Sequence, residues 1–273
     1  MAIQIEILKE ITVEKPYLVI YKPKGLPSAP LSADDTENAL AQAAAMYPQI
    51  KSVCGKKPIE YGLLHRLDTA TDGLLLIATS QECYDFLCQE QREGRFIKTY
   101  TAQCDILPDN ADLLGAFPPL RGAQKNSSLR GAQKNSSLRG APATKQTMSS
   151  YFRPYGQGRK EVRPVTEESG KAALSKLGSK KLYTTKIEIK KLSDTKAWVV
   201  CEISEGYRHQ VRCHLAWAGY PVCGDLLYNS KNRQSVISED KKKAENLLFS
   251  ATSISFEYPR GDLNSYDRKD TWT

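Results

Sequence analysis

The sequence predicts an α+β fold in which a mainly antiparallel β-sheet carries a few flanking helices. Short β-prone segments recur along the chain and are separated by loops rich in proline, glycine or polar residues. A few other stretches have the composition, or the spacing of apolar residues, that is typical of helices. The 273 residues are 40% hydrophobic and 26% charged, which is an ordinary composition for a soluble globular chain.

The first elements are a strand and a helix. Tyr17–Tyr21 is a compact β-prone run, and it ends at Lys22–Pro27, where two prolines and a glycine fix a loop. Asn38–Met46 is rich in alanine and leucine, which predicts a short helix.

The segment His65–Ala78 reads HRLDTATDGLLLIA. Its first half is charged and turn-like, and its second half is apolar and long enough for a buried strand. Asp68 therefore lies close to the end of an element, where a side chain can point into a cleft from a rigid support. An aspartate before a glycine-containing turn is also ordinary turn chemistry. A second charged block, Glu205–His214, favours the functional interpretation, and all three histidines of the chain fall in these two blocks.

The middle of the chain continues with a helix and a strand. Apolar and polar positions in Glu82–Glu93 predict an amphipathic helix that ends at Gly94. Arg95–Cys104 alternates between polar and apolar residues, as a strand does.

Four further segments have a strand pattern, and two of them flank the polar turn Ser193-Asp194 as a hairpin. They are Thr147–Phe152, Leu182–Ile189, Ala197–Ile203 and Leu247–Phe256. His209–Trp217 can form a helix with Gly219 as its C-cap. Residues 262–273 are interpreted as a polar tail.

Residues 113–146 form a basic insertion that contains a repeat. The nine residues from Leu120 to Ser128 recur without change from Leu129 to Ser137, and a third copy starts at Leu138. The unit is too short and polar to stack as a solenoid. Two interpretations stay open: a dispensable surface loop, or a basic arm that touches the phosphates of a nucleic acid.

The charge and the cysteines indicate the class of protein. The net charge of +8 is compatible with a polyanionic partner. Seven scattered cysteines without a CxxC pair predict reduced thiols and a cytoplasmic protein.

We expect no metal site, because His209, Cys213 and His214 have no suitably spaced fourth ligand. There is no secretory signal at the start and no apolar run long enough for a membrane helix.

Three ordered motifs identify a resemblance to a family. HRLDxxTxGLLL starts at His65, GxxHQxRxH starts at Gly206, and GxPxxGDxxY spans Gly219–Tyr228. In this order they resemble the RluA-like pseudouridine synthases, which isomerise selected uridines in ribosomal or transfer RNA. The resemblance runs from about Tyr17 to about Pro259, nearly the whole chain.

The resemblance implies a fold and a partner. Residues 1–273 are expected to form a single catalytic domain, with a mixed, mainly antiparallel β-sheet, flanking helices and a central catalytic cleft. The expected partner is RNA, with ribosomal RNA preferred over transfer RNA, and we expect a monomer that uses no cofactor. The N-terminal S4-type RNA-binding module of some relatives is expected to be absent.

The resemblance also implies the site residues. Asp68 is carried over as the catalytic carboxylate, which either attacks C1′ of the ribose or takes a proton from C2′. Arg212 is expected to pair with it and keep it ionised. Tyr100 is expected to stack on the uracil and to help remove the C5 proton.

Five further residues are expected to bind RNA. Arg66 resembles the residue that fills the gap left by the flipped nucleotide. The other four lie in the same two motifs: His65, Arg208, His209 and Gln210.

Two positions depart from the family pattern. Arginine often follows the glycine of the second motif, but here Tyr207 stands there and Arg208 comes next. A phosphate contact at that place is therefore in question. Asp72 stands where the family often has a small hydroxyl residue. It is either a turn residue before Gly73 or a charge that repels RNA, and we favour the turn.

Two other classes of protein stay open. A factor that only binds or folds RNA is compatible with the same scaffold, although the intact set of Asp68, Tyr100 and Arg212 argues against it. A nucleoside hydrolase would release free uracil, whereas a synthase retains it.

Overall fold

A computed structural model of the chain describes residues 3–106, 144–193, 195–229 and 247–268. Within the predicted single domain, the chain forms two compact units. The first comprises Met1–Tyr100 and Phe249–Thr273, and the second comprises Thr101–Leu248. The nine-residue repeat and most of the predicted insertion lie outside the described residues.

The described strands outnumber the described helices. The strands are β1 (Glu6–Lys9), β2 (Tyr17–Lys22), β3 (Asp72–Ala78), β4 (Ile97–Asp105), β5 (Thr144–Tyr155), β6 (Glu161–Val165), β7 (Tyr183–Leu192), β8 (Lys196–Ile203), β9 (Phe249–Glu257) and β10 (Leu263–Asp267). The α-helices are α1 (Ala39–Met46), α2 (Gln81–Arg92), α3 (Lys171–Leu174) and α4 (Gln210–Trp217). Short 3-10 turns are formed by Pro48–Ser52, Pro58–Glu60, Gln157–Arg159 and Glu167–Ser169.

The sheet of the first unit is built around β3. β2 pairs antiparallel with both β1 and β3, and β9 pairs parallel with β3 and antiparallel with β10. All seven residues of β3 are buried, as expected for a continuous apolar run that is covered on both faces. The core around it includes Leu74, Leu76, Phe96 and Phe256.

β3 and β9 approach each other closely at Gly73. A Cβ atom at this position would lie 2.3 Å from the carbonyl oxygen of Ala251, and the backbone φ of Gly73 is +133°. Only glycine fits such a conformation and such a distance without strain. Gly73 therefore lets β3 begin directly after the Asp68 loop.

The second unit is an antiparallel sheet. β5 pairs with β6 and β7, and β7 pairs with β8. The β7–β8 hairpin is the one that the alternating pattern predicts. With β3–β9 as the parallel pair, the predicted α+β fold with a mixed, mainly antiparallel sheet is confirmed.

Capping side chains and glycines set the helix ends near the predicted positions. Asn38 accepts a hydrogen bond from the Ala41 N–H at 2.8 Å and starts α1. Gly219, at a φ of +88°, ends α4, and the Tyr220 N–H donates back to the Leu215 carbonyl at 2.8 Å. The C-cap that was predicted at Gly219 is confirmed.

The chain near its end forms a strand where the sequence suggested only a polar tail. β10 pairs with β9 over five residues, although one of its five residues alone is buried. That residue, Asn264, accepts hydrogen bonds from the Tyr17 hydroxyl at 2.9 Å and from Lys15 Nζ at 2.6 Å. Polar partners rather than apolar burial hold this strand, which is why its composition did not reveal it.

Within the described ranges, no helix has both the length and the apolar character needed to cross a bilayer.

Candidate active site

Asp68 lies in the loop that leads to β3. Its carbonyl oxygen accepts from the Thr71 N–H at 3.0 Å, which closes a turn, and its side chain is half-buried. Ser28 holds the preceding residue from both sides. The Ser28 hydroxyl donates to the Leu67 carbonyl at 2.7 Å and accepts from the Leu67 N–H at 2.9 Å. The backbone on both sides of the Asp68 carboxylate is therefore fixed.

A buried lysine joins the Lys22–Pro27 loop to this turn. Lys22 is fully buried, and its ammonium group donates to the carbonyl oxygens of Leu26 at 2.8 Å and Pro23 at 3.0 Å. The Thr69 carbonyl lies 3.4 Å from the same ammonium group and accepts from the Gly25 N–H at 2.8 Å.

Burial lowers the pKa of Lys22 to about 8, although the negative charges of Asp72 and Asp68 oppose this shift. Lys22 is not among the site residues that the motifs predict. The available signal was a lysine at the junction between the buried strand and the loop that its prolines and glycine fix.

Replacement of Lys22 by methionine is expected to change how stability depends on pH. The ordinary lysine pKa of 10.5 applies to the unfolded chain, and the folded value is about 8. Between these values the unfolded chain binds more protons, so this group makes the unfolding free energy rise with pH. Denaturant titrations at roughly pH 7.5 and pH 9.5 should therefore show the wild type gaining stability relative to Lys22→Met. An equal pH dependence of the two proteins would contradict the assigned burial of the ammonium group.

Asp72 is a buried anchor, and its interpretation as a turn residue is wrong. It is the first residue of β3, and its Oδ2 accepts from the Tyr21 hydroxyl at 2.9 Å and from the Ser250 hydroxyl at 3.1 Å. Lys24 Nζ lies 3.7 Å from the other carboxylate oxygen. The carboxylate therefore joins three strands or loops of the first unit, and only about 1% of Asp72 is exposed.

The two residues before Leu67 differ in accessibility. Both ring nitrogens of His65 are buried without a hydrogen-bond partner among the described residues, and the ring makes an edge contact with Phe96 at 5.7 Å. Burial, aided by Lys98, holds the pKa of His65 well below its usual value, so the ring is neutral. This placement favours a packing role for His65 and gives no support to RNA contact through its nitrogens. Arg66 is exposed, and its guanidinium lies 3.0 Å from Glu60 Oε1.

Tyr100 lies on β4 with its ring stacked on Phe249 of β9. The ring centroids are 5.2 Å apart and the planes differ by 8°. Burial, and then the negative charge of Asp68, raise the pKa of Tyr100. The Tyr100 hydroxyl is therefore held in its neutral form, within the electrostatic reach of the Asp68 carboxylate.

The second motif starts α4 in the second unit. Arg212 is the third residue of this helix and is buried. Arg212 Nε donates to Asp225 Oδ2 at 2.8 Å, and its Nη2 donates to Asp225 Oδ1 at 2.9 Å. The N–H groups of Leu227 and Tyr228 also donate to Asp225 Oδ1, at 2.9 and 3.1 Å.

Burial alone would raise the pKa of Asp225, but the hydrogen bonds and charge of Arg212 hold that pKa below its usual range. Asp225 stands in the third motif, which by itself predicts no role for this residue. The expected pairing of Arg212 with Asp68 stays a prediction.

The polar residues before Arg212 mostly build the entry to α4. The Gln210 side-chain amide donates to the Thr184 carbonyl at 3.0 Å and accepts from the Tyr207 N–H at 2.9 Å. His209 adopts a left-handed conformation, with φ of +57°, and its Nδ1 lies 3.0 Å from the Tyr228 hydroxyl. Only about 2% of Gln210 is exposed, which favours a structural role over the expected contact with RNA.

Tyr207 and Arg208, which depart from the family pattern, have different surroundings in the structure. The Tyr207 ring stacks on Phe152 with centroids 5.1 Å apart and planes within 5°. Arg208 is exposed, and its guanidinium donates to the carbonyl oxygens of Arg159 and Glu161 on the neighbouring hairpin. Tyr207 thus packs against the core, and Arg208 carries the exposed positive charge.

His214 is buried in the second unit between two hydroxyl groups. The two His214 ring nitrogens contact the hydroxyls of Ser150 and Thr185 at 2.9 and 2.8 Å, and burial lowers the pKa of His214 to about 3. No group of three or more potential metal ligands occurs in the part of the chain that the structure describes.

Comparison with known proteins defines the class. The profile of the RNA pseudouridylate synthase family matches residues 16–217, which is most of the chain. The chain therefore belongs to this family of RNA uridine isomerases, and the resemblance read from the three motifs is confirmed.

Individual relatives support the same assignment. The chain is 27% identical over 240 residues to the uncharacterized RNA pseudouridine synthase MG209 homolog of Mycoplasma pneumoniae, covering 88% of this chain and 61% of the relative. It is 25% identical over 248 residues to the dual-specificity RNA pseudouridine synthase RluA of Escherichia coli, covering 89% and 83%. The fold matches human RNA pseudouridylate synthase domain containing 1 with a TM-score of 0.61 and 16% identity, over 99% of this chain and 85% of that one.

Proposed function

We propose that this chain isomerises selected uridines in structured RNA to pseudouridine, with ribosomal RNA preferred over transfer RNA. The observation that carries the proposal is the pair formed in the first unit by Asp68 and Tyr100. A fixed turn presents the half-buried carboxylate, whose charge acts on a buried, neutral phenol. The positive net charge of +8 favours an RNA substrate in general.

The reaction requires that the bond between N1 and C1′ breaks and that C1′ joins C5. Asp68 is proposed either to attack C1′ or to take the C2′ proton, and both routes use a single ionised carboxylate. Glycoside hydrolysis normally uses two carboxylates, one of which protonates the leaving group or activates water. Asp72 does not supply a second one, because it is buried between Tyr21 and Ser250.

Tyr100 is proposed to lie against the uracil and to take part in removal of the C5 proton. Its raised pKa favours a neutral hydroxyl. To accept the C5 proton, this hydroxyl must pass its own proton to another group in the same step. The net balance is the loss of the C5 proton and the gain of a proton at N1, so no cofactor is consumed.

Two arginines complete the proposed site. Arg66 is exposed beside the catalytic loop, where it can fill the space left by a flipped nucleotide. Arg212, taken from the family motif, is proposed to hold Asp68 ionised and oriented. Its ion pair with Asp225 fixes the guanidinium plane and thus supports this role.

The Tyr100→Phe variant tests the role of the hydroxyl. The phenylalanine ring can keep the stack on Phe249, so we expect folding and RNA affinity close to wild type. Loss of the proton-transfer group should slow turnover by roughly 10²-fold or more. The measurement is tritium release from RNA that carries 5-tritiated uridine, with affinity determined in parallel. An unchanged rate would confine Tyr100 to stacking.

The proposed function is tested by mapping pseudouridines in ribosomal and transfer RNA from cells with and without this protein. We expect one or more sites to disappear without the protein, and to return with the wild-type chain but not with Asp68→Asn. Identical maps would instead favour a factor that only binds or folds RNA.

A further inference from the structure

The β5–β6 hairpin has one face in the core and one face exposed. Phe152 and Val162 lie on the inner face, in a core cluster with Cys213 of α4. Because side chains alternate along a strand, Arg153 and Arg163 lie on the opposite face. They are cross-strand partners in the antiparallel register, and both are partly exposed.

Two arginines placed directly opposite each other are unfavourable in an isolated sheet, because like charges repel. The Tyr155 ring mitigates this repulsion. The guanidinium carbon of Arg163 lies 3.3 Å from the ring centroid, and that of Arg153 lies 5.1 Å from it. At 3.3 Å the Arg163 guanidinium stacks with its face on the ring, which leaves its N–H edges for other partners. Among the described residues, neither guanidinium has a hydrogen bond or ion pair.

The tip of the hairpin adds further positive charge. Arg159 and Lys160 are exposed there, and Arg208 joins them because its guanidinium bonds to the carbonyl oxygens of Arg159 and Glu161. We call these five cations the hairpin cluster: Arg153, Arg159, Lys160, Arg163 and Arg208. Glu161 is the one carboxylate between Arg153 and Arg163 along the chain.

The hairpin is held firmly to the start of α4. The Val162 N–H donates to the Tyr228 hydroxyl at 2.9 Å, and the same hydroxyl lies 3.0 Å from His209 Nδ1. Arg208, directly before His209, bonds to the hairpin backbone. The hairpin cluster is therefore a pre-organised surface, and its position relative to the motif that contains Arg212 is fixed within the second unit.

We infer that the hairpin cluster is a second RNA contact surface, at which Arg153 and Arg163 take neighbouring phosphates of the substrate. This inference rests on the proposed function. Phosphate fits the chemistry, because two planar guanidinium groups side by side offer paired donors for anionic oxygens. Binding of RNA would remove the repulsion between the two arginines, which the isolated chain leaves only partly compensated.

The test is equilibrium binding of a transcribed stem–loop RNA with uridines in its loop, measured over a range of salt concentrations. All proteins carry Asp68→Asn, so that binding is measured without turnover. The slope of log K against log salt is negative, and Arg153→Gln/Arg163→Gln is expected to reduce its magnitude by about 1.5. This change corresponds to two phosphate contacts. Arg153→Lys/Arg163→Lys keeps both charges and is expected to retain most of that slope.

A matched control removes two exposed cations elsewhere. Lys51→Gln/Arg92→Gln takes the same charge from the first unit and is expected to leave the slope close to the reference. The inference would be overturned if the magnitude of the salt slope fell equally in the two glutamine variants, or if it did not fall in the hairpin variant. A melting curve for each protein verifies that folding is retained.

Failure of this inference and failure of the proposed function give different results. If the hairpin is not a contact surface, the hairpin variant binds normally while the chain without Asp68→Asn still forms pseudouridine. If the proposed function is wrong, no pseudouridine forms even when both Asp68 and the hairpin cluster are intact.

Discussion

Asp68→Asn is expected to reduce turnover by at least about 10³-fold while RNA affinity stays near that of the wild type. Asparagine has nearly the same shape, but its amide can neither attack C1′ nor accept a proton. The turn around residue 68 is held by the backbone bond from Thr71 and by Ser28 at Leu67, none of which involves the carboxylate. The substitution should therefore leave the loop in place. Pseudouridine formation under single-turnover conditions gives the rate.

The matched control for this prediction is Asp72→Asn, four residues further along. Its amide oxygen can still accept from Tyr21 and Ser250, and only about 1% of Asp72 is exposed. We expect turnover of this variant to remain within about tenfold of wild type, with any loss appearing in stability. A rate for Asp68→Asn within tenfold of wild type would show that another group performs the chemistry.

Arg212→Met is expected to destabilise the chain by about 3–5 kcal/mol, because it leaves the buried Asp225 carboxylate without its partner. It is also expected to abolish turnover if Arg212 orients Asp68. The two effects are separated by the double variant Arg212→Met/Asp225→Asn. Asparagine at 225 is neutral and can still accept from the N–H groups of Leu227 and Tyr228. The double variant should therefore recover much of the lost stability.

Turnover of the double variant decides the role of Arg212. Recovered stability without turnover would assign Arg212 a part in the reaction, as the family motif implies. Recovered stability together with recovered turnover would make Arg212 structural only. Denaturant titrations and single-turnover rates on the same preparations provide both quantities.

Local patterns predicted those elements whose residues carry a periodic or capping signal. The apolar run of β3, the β7–β8 hairpin and the Gly219 cap of α4 are set by nearby residues, and all three are found. β10 was missed because its one buried residue, Asn264, is polar.

Side-chain roles were harder to predict, because their partners lie far apart in sequence. Asp72 looked like a turn residue, yet it bonds to Tyr21 and to Ser250, which is 178 positions away. Asp225 as the partner of Arg212 was equally hidden, although both lie in quoted motifs. His65 and Gln210 are expected to bind RNA because of the family motifs, and only the packing reveals that the His65 ring nitrogens and Gln210 are buried. Their contact with RNA stays a prediction.

We propose that this chain rearranges uridine within RNA by means of Asp68. The most direct measurement incubates the purified chain with ribosomal and transfer RNA from cells that lack it, followed by nucleoside analysis of the RNA and of the released small molecules. We expect new pseudouridine in the RNA, no free uracil, and no product with Asp68→Asn. Free uracil in place of pseudouridine, or pseudouridine formed equally well by Asp68→Asn, would contradict it.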